Sequence, residues 1–142
     1  MSTHRSEAGA SPAVPDDVPV NAALWVVAIV AGAISFAAAV NKLMQSKEEL
    51  LTHDNMGWAE EFSDESIKRI GAVEMLGVFG LIVPQGTGHV EILTPIAAVG
   101  LILLQIGAVI VHVRRREWRM LTINIPLILA LSYVAIGRFV HG

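Results

Sequence analysis

Cysteine is absent from the 142-residue chain. That excludes structural disulfides, Cys-ligated metal and thiol redox chemistry within the chain itself. Any redox role then needs a bound cofactor or a partner protein. Charge is also scarce: Asp, Glu, Lys and Arg make up 16% of the residues against 54% hydrophobic ones, which is too little for a soluble domain of this length. No phosphate-cradling glycine loop stands in the required context, so nucleotide chemistry has no motif to rest on. His53, His89 and His141 fall in loops or near the end of the sequence. Without ligand-like spacing among them or around His112, no metal site is expected.

What is present is apolar sequence in blocks, with a mean hydropathy of +0.59. Crossing the hydrocarbon core takes a run of about 20 residues, and four blocks approach that length: 22–43, 67–83, 95–113 and 124–140. The expectation is an all-α membrane protein, a bundle of four transmembrane helices forming one domain over residues 21–142. Residues 1–20, rich in Ser, Ala, Pro and Asp, read as a disordered tail. A tail of that kind ahead of the first block argues against a cleaved signal peptide, so the first helix is expected to stay.

Local signals suggest helix ends. Ser63 followed by Asp64 and Glu65 fits an N-cap with acids in the first turn, and Pro84 is expected to stop that helix. Thr94-Pro95 fits an N-cap followed by proline in the first turn, and Asn124 with Pro126 reads the same way. In the first span Ala28, Gly32, Ser35 and Ala39 are small enough for close helix contact in lipid.

Lys and Arg near the spans set the expected orientation. The first loop region carries Lys42, Lys47, Lys68 and Arg69, and the third carries Arg114, Arg115, Arg116 and Arg119, whereas the opposite side has only Arg5 and Arg138. Loops 1–2 and 3–4 are expected in the cytoplasm and both termini outside, in a multi-pass protein of the cell membrane.

Glu74 is the most informative residue, an acid within an otherwise uncharged apolar segment from Ile70 to Val83. An intramembrane charge costs about 2.5–3.5 kcal/mol on insertion scales and usually faces the bundle interior with a partner. At about 1.5 Å of helix rise per residue, it falls at the depth of a polar group near the inner face. Asn41 and Lys42 close the first span, His112 ends the third with Gln105 two turns deeper, and Asn124 opens the fourth.

These six residues are the candidate site. In one reading they line a polar pocket, with Glu74 as proton acceptor or ligand anchor and Lys42 and His112 as charged or titrating partners, able to hydrogen-bond a quinone or another polar head group. In the other reading each has a structural role. Glu74 is ion-paired with Lys42, or Lys42 snorkels to the interface. His112 is an interfacial residue beside the arginines, Gln105 an interhelical hydrogen bond, and Asn124 only an N-cap. Arg138 stands apart near the outer surface, as an anchor for a helix end.

The arginine run around Glu117 and Trp118 lies beside a span and fits anionic lipid contact rather than nucleic acid. Trp118 is then an interfacial anchor, as Trp25 is on the other side. The connection from Met44 to Phe62, with Met56-Gly57-Trp58 among acids, is long for neighbouring helices. It suits a surface segment, a lid over the pocket or a docking segment for a partner.

Taken in order, these pieces resemble the DoxX-like family of small four-helix membrane proteins. The resemblance runs over residues 22–140: Asn41-Lys42-Leu43 closing the first helix; Gly71 through Glu74, Leu76-Gly77 and Gly80-Leu81 in the second, then Pro84; Pro95 to Ala98, Gly107-Ala108 and His112 in the third; and Asn124 with Gly137-Arg138 in the fourth. Gln105-Ile106 stands where related sequences often carry a methionine-containing apolar pair. The resemblance implies relatives among membrane subunits of a thiosulfate:quinone oxidoreductase, partners in thiol-stress complexes and a receptor-assembly chaperone. Two classes of function follow. One is a redox-associated membrane subunit that binds quinone, with no covalent cofactor. The other is a non-enzymatic accessory or assembly subunit. Membrane lipids and either another membrane protein or a second copy are the expected partners.

Overall fold

The computed structural model describes residues 12, 13 and 15–142. Its elements are α1 (Asp17–Met44), α2 (Lys47–Leu51), a 3-10 turn (Gly57–Glu61), α3 (Asp64–Thr87), α4 (Leu93–Arg114) and α5 (Trp118–His141), and no strand occurs among the described residues. Three helices, α1, α4 and α5, are long and apolar enough to cross a membrane. The remaining long helix, α3, carries Asp64, Glu65, Lys68 and Arg69 in its first two turns and Glu74 in its third.

Five α-helices, rather than four, come from the Met44–Phe62 connection, which is folded. Ser46 starts α2 with a capping box: its hydroxyl accepts from Glu49 N–H while the Glu49 carboxylate accepts from Ser46 N–H. Leu50 and Ala59 then pack on Ile67 of α3, with Met56, Trp58 and Phe62 around them. We refer to residues 46–62 as the cap.

The long helices bury one stripe each and pack in a cycle, α1 on α3 and α5, and α4 on α3 and α5. Their shared core holds Ala28 and Ala31, Leu81, Ala98 and Leu101, and Leu127, Leu131 and Val134. Close approach depends on missing side chains. A Cβ on Gly71 would stand 2.8 Å from Lys42 Cβ, and one on Gly77 would stand 2.7 Å from Leu101 Cδ2. The outward faces are apolar on all four: Val26, Leu76, Leu103 and Ile136 are 62–72% exposed. So much apolar surface has no place in water.

Several helix ends differ from the expected ones. The first helix begins at Asp17, within the stretch expected to be a tail; residues 1–11 and 14 lie outside the described residues. Pro84 lies inside α3, which runs on to Thr87 and closes on Gly88 in the left-handed region at φ 67°. A left-handed glycine is a strong helix stop, and a proline one turn earlier removes only one bond. Thr94 is not a cap, because α4 starts at Leu93 with Ile92 before it. Pro95 is still among the first residues, whose N–H groups have no intrahelical partner. Asn124 and Pro126 lie well inside α5, which begins at Trp118. The Ser63 cap is as expected, with its hydroxyl accepting from Ser66 N–H.

Candidate functional site

α1 ends where α3 carries its acid. Lys42 Nζ donates to Glu74 Oε2 at 2.7 Å, and Glu74 is only 3% exposed. Gly71, one turn before Glu74, provides the room against the Lys42 stem. The Lys42 ammonium also lies 5.8 Å from the ring centroid of Trp58, so the cap supplies an aromatic face to the cation. Trp58 is held in turn by Nε1–H donation to Met56 Sδ and an edge contact with Phe62. Lys68 of α3 donates to the backbone oxygens of Lys42 and Gln45, capping the negative end of α1. Lys42 therefore does not snorkel, because a buried carboxylate within reach offers it more than the interface does.

A second pair joins α4 to α5. Asn124 Nδ2 donates to Gln105 Oε1 at 2.7 Å with both residues buried. The interhelical hydrogen bond expected of Gln105 is present, and Asn124 is its partner rather than a cap. Asn124 Oδ1 has no partner among the described residues.

The third group is at the α4–α5 turn. α4 closes in a Schellman motif, with Glu117 N–H bonded to His112 O, Arg116 N–H bonded to Val113 O, and Arg116 left-handed at φ 58°. That turn brings Glu117 back over the helix end. Its carboxylate meets His112 Nδ1 at 2.7 Å and accepts from Arg115 Nε at 2.8 Å. Arg115 reaches on to Glu60 at 3.2 Å and Glu61 at 3.8 Å, tying the cap to the turn. A Cβ on Gly57 would stand 2.9 Å from Arg115 Nη2, so a side chain there would make the end of Arg115 shift.

Burial by itself would push the Glu117 carboxyl up, but hydrogen bonds from Arg115 and His112 outweigh it and hold the group below the usual carboxylate range. Arg115 is raised, first by its hydrogen bond to Glu117. His112 is buried in this network rather than exposed at an interface.

Asn41 faces a half-open cleft of about 380 Å³, lined also by Gln45, His53, Asp54, Asn55 and Met56. Its lining includes Lys42's neighbour but not Glu74. The six candidate residues are thus arranged as the Lys42–Glu74 pair with Asn41 beside it, the Gln105–Asn124 pair and His112 in the turn network; among the described residues no hydrogen bond links these groups. Trp58, Lys68, Arg115 and Glu117 were not among the candidates. The signal for Glu117 was its place as a lone acid within an arginine run.

An all-helical chain with apolar outward faces, spanning helices and charges paired between helices is a small integral membrane protein. The DoxX-like family model matches residues 26–135, and the chain belongs to the DoxX-like family. Neither the curated proteins nor the solved structures give a match.

Proposed function

We propose that this is a four-span membrane subunit, associated with redox chemistry, that takes the polar head group of a quinone or similar lipid-like molecule beside Lys42 and Glu74. The observation that carries the proposal is the buried Lys42–Glu74 pair, roofed by Trp58 and next to a polar cleft that starts at Asn41. Intramembrane ion pairs are costly and mark functional sites by default. An ammonium offers a hydrogen-bond donor to a quinone oxygen, and the neighbouring carboxyl group offers a carrier for the protons that a quinone takes up on reduction. The electrons come from a partner, since the chain has no thiol of its own.

The outward apolar residues of α3, Val73, Leu76, Phe79 and Val83, support it as the fourth span beside α1, α4 and α5. An even number of spans puts both termini on one side. The Lys and Arg excess then assigns the cap and the α4–α5 turn to the cytoplasm.

A second reading has its own support. Lys42 and Glu74 already satisfy each other at 2.7 Å, as a pair would if it only fastened α1 to α3. The protein would then be an accessory or assembly subunit. Gentle purification from native membranes, with quinone assay and mass spectrometry, separates the two. Stoichiometric quinone that is lost in Glu74→Gln supports the ligand site. A constant protein partner without quinone, unchanged in Glu74→Gln, supports the accessory role.

A further inference from the structure

The opposite end of the molecule holds a charge that the site above does not use. Arg138, in the last turns of α5, is 4% exposed. Its Nη1 donates to Asn21 Oδ1 at 2.7 Å and to the backbone oxygen of Gly142 at 3.2 Å. Its Nε and Nη2 are buried and have no hydrogen-bond partner among the described residues. Those two nitrogens form one edge of the guanidinium, the parallel fork that meets two oxygens of a single carboxylate or phosphate. Trp25 of α1 lies 5.4 Å from the guanidinium carbon to its ring centroid and fixes the plane of the fork.

The surroundings favour an incoming anion over an internal one. Glu91, exposed in the α3–α4 connection, is the carboxylate whose charge acts on Arg138, yet no hydrogen bond joins them. At the same end Thr94 Oγ1, a hydroxyl able to donate, is buried at the start of α4 without a partner among the described residues. Buried polar groups are normally satisfied. Unpartnered buried groups occur toward both ends among the described residues, Gln45 Oε1 and Asn124 Oδ1 at the cap end included, but only at this end is one of them a cation, with its bidentate edge unpartnered.

We propose that Arg138 is a binding site for a phosphate-type oxyanion, held side-on by Nε and Nη2 while Asn21 and Trp25 fix the guanidinium. At the end of a membrane helix such an oxyanion comes from a phospholipid head group or from free phosphate.

The test uses the full chain purified in a neutral detergent. Phosphatidylglycerol and inorganic phosphate are titrated separately, with the thermal midpoint and native mass spectrometry as readouts. A midpoint that rises with phosphatidylglycerol, with one lipid retained, supports the site and assigns it to a head group. A rise with inorganic phosphate supports it and assigns a free anion. Arg138→Lys keeps the charge but not the fork, and is expected to bind at least about tenfold more weakly. Glu91→Gln removes a competing carboxylate and is expected to bind at least as well as the unaltered protein. No response to either probe, an equal response in Arg138→Lys, or loss of binding in Glu91→Gln would overturn the proposal. If Arg138→Lys does not fold, the titrations of the unaltered protein and of Glu91→Gln still decide.

Discussion

The two ends of the helix bundle treat buried charge in opposite ways. At the cap end Lys42 has Glu74 and the face of Trp58, and Glu117 has both His112 and Arg115. At the other end Arg138 is as deeply buried, but one edge of its guanidinium is unpartnered among the described residues. The cap end has the folded segment 46–62 to bring side chains over it, whereas α3 and α4 are joined at the other end by only five residues, 88–92. A folded cap can complete a polar network from within the chain. A short connection leaves completion to something outside it.

The comparison is broken most severely at Glu74. Glu74→Ala would recreate at the cap end the orphaned cation of the other end, and removing one partner of a buried pair costs about 3–5 kcal/mol. Replacing both, Lys42→Met with Glu74→Met, is expected to restore most of that loss, because well-packed apolar residues substitute for a buried pair at little cost. Reversible unfolding in mixed micelles measures both; a loss below about 1 kcal/mol in Glu74→Ala would show that the pair does not hold α1 to α3.

A smaller effect is expected between α4 and α5. Asn124→Leu removes one interhelical hydrogen bond and should cost about 0.6–2 kcal/mol, with part recovered by adding Gln105→Leu. Full additivity of the two losses in the same unfolding assay would contradict the pairing.

The gentlest perturbation is acid. Glu117 is held below its ordinary value, so its contribution is complete above the ordinary glutamate range and is lost as pH falls through the lower folded value. Amide exchange over residues 112–117 should therefore stay slow through mildly acid pH and quicken only below the normal carboxylate range. After correction for the intrinsic pH dependence of exchange, Glu117→Gln should abolish that transition. A transition that persists in the variant belongs to another group.

How much of this was legible follows from where the signal lies. Hydropathy marked the apolar blocks, and so located the helices, but not their ends. Helices α1 and α5 extend beyond the apolar blocks through Asp17 to Asn21 and through Trp118 to Ile123, where Asp17 and Asn21, and Arg119 and Thr122, interrupt the hydropathy signal. Ser46 and Glu49 carry a capping box in plain sequence, the local signal for α2. The Lys42–Glu74 pair was one of two readings because each residue needs a partner and both lie near the inner face. His112 and Glu117 are five residues apart, but their contact depends on a left-handed Arg116, a conformation an arginine does not announce. Trp58 over Lys42 is purely tertiary.

The most direct test of the account is which side of the membrane each end faces, since α3 must cross if the ends are to face opposite sides. The cysteine-free chain allows single introductions without further changes. Thr52→Cys in the cap, Arg119→Cys at the start of α5 and His89→Cys between α3 and α4 would be labelled in sealed vesicles with a membrane-impermeant maleimide. The account predicts that Thr52→Cys and Arg119→Cys react from the cytoplasmic side and His89→Cys only from the other. Labelling of Thr52→Cys and His89→Cys from the same side would mean that α3 does not span, and would contradict it.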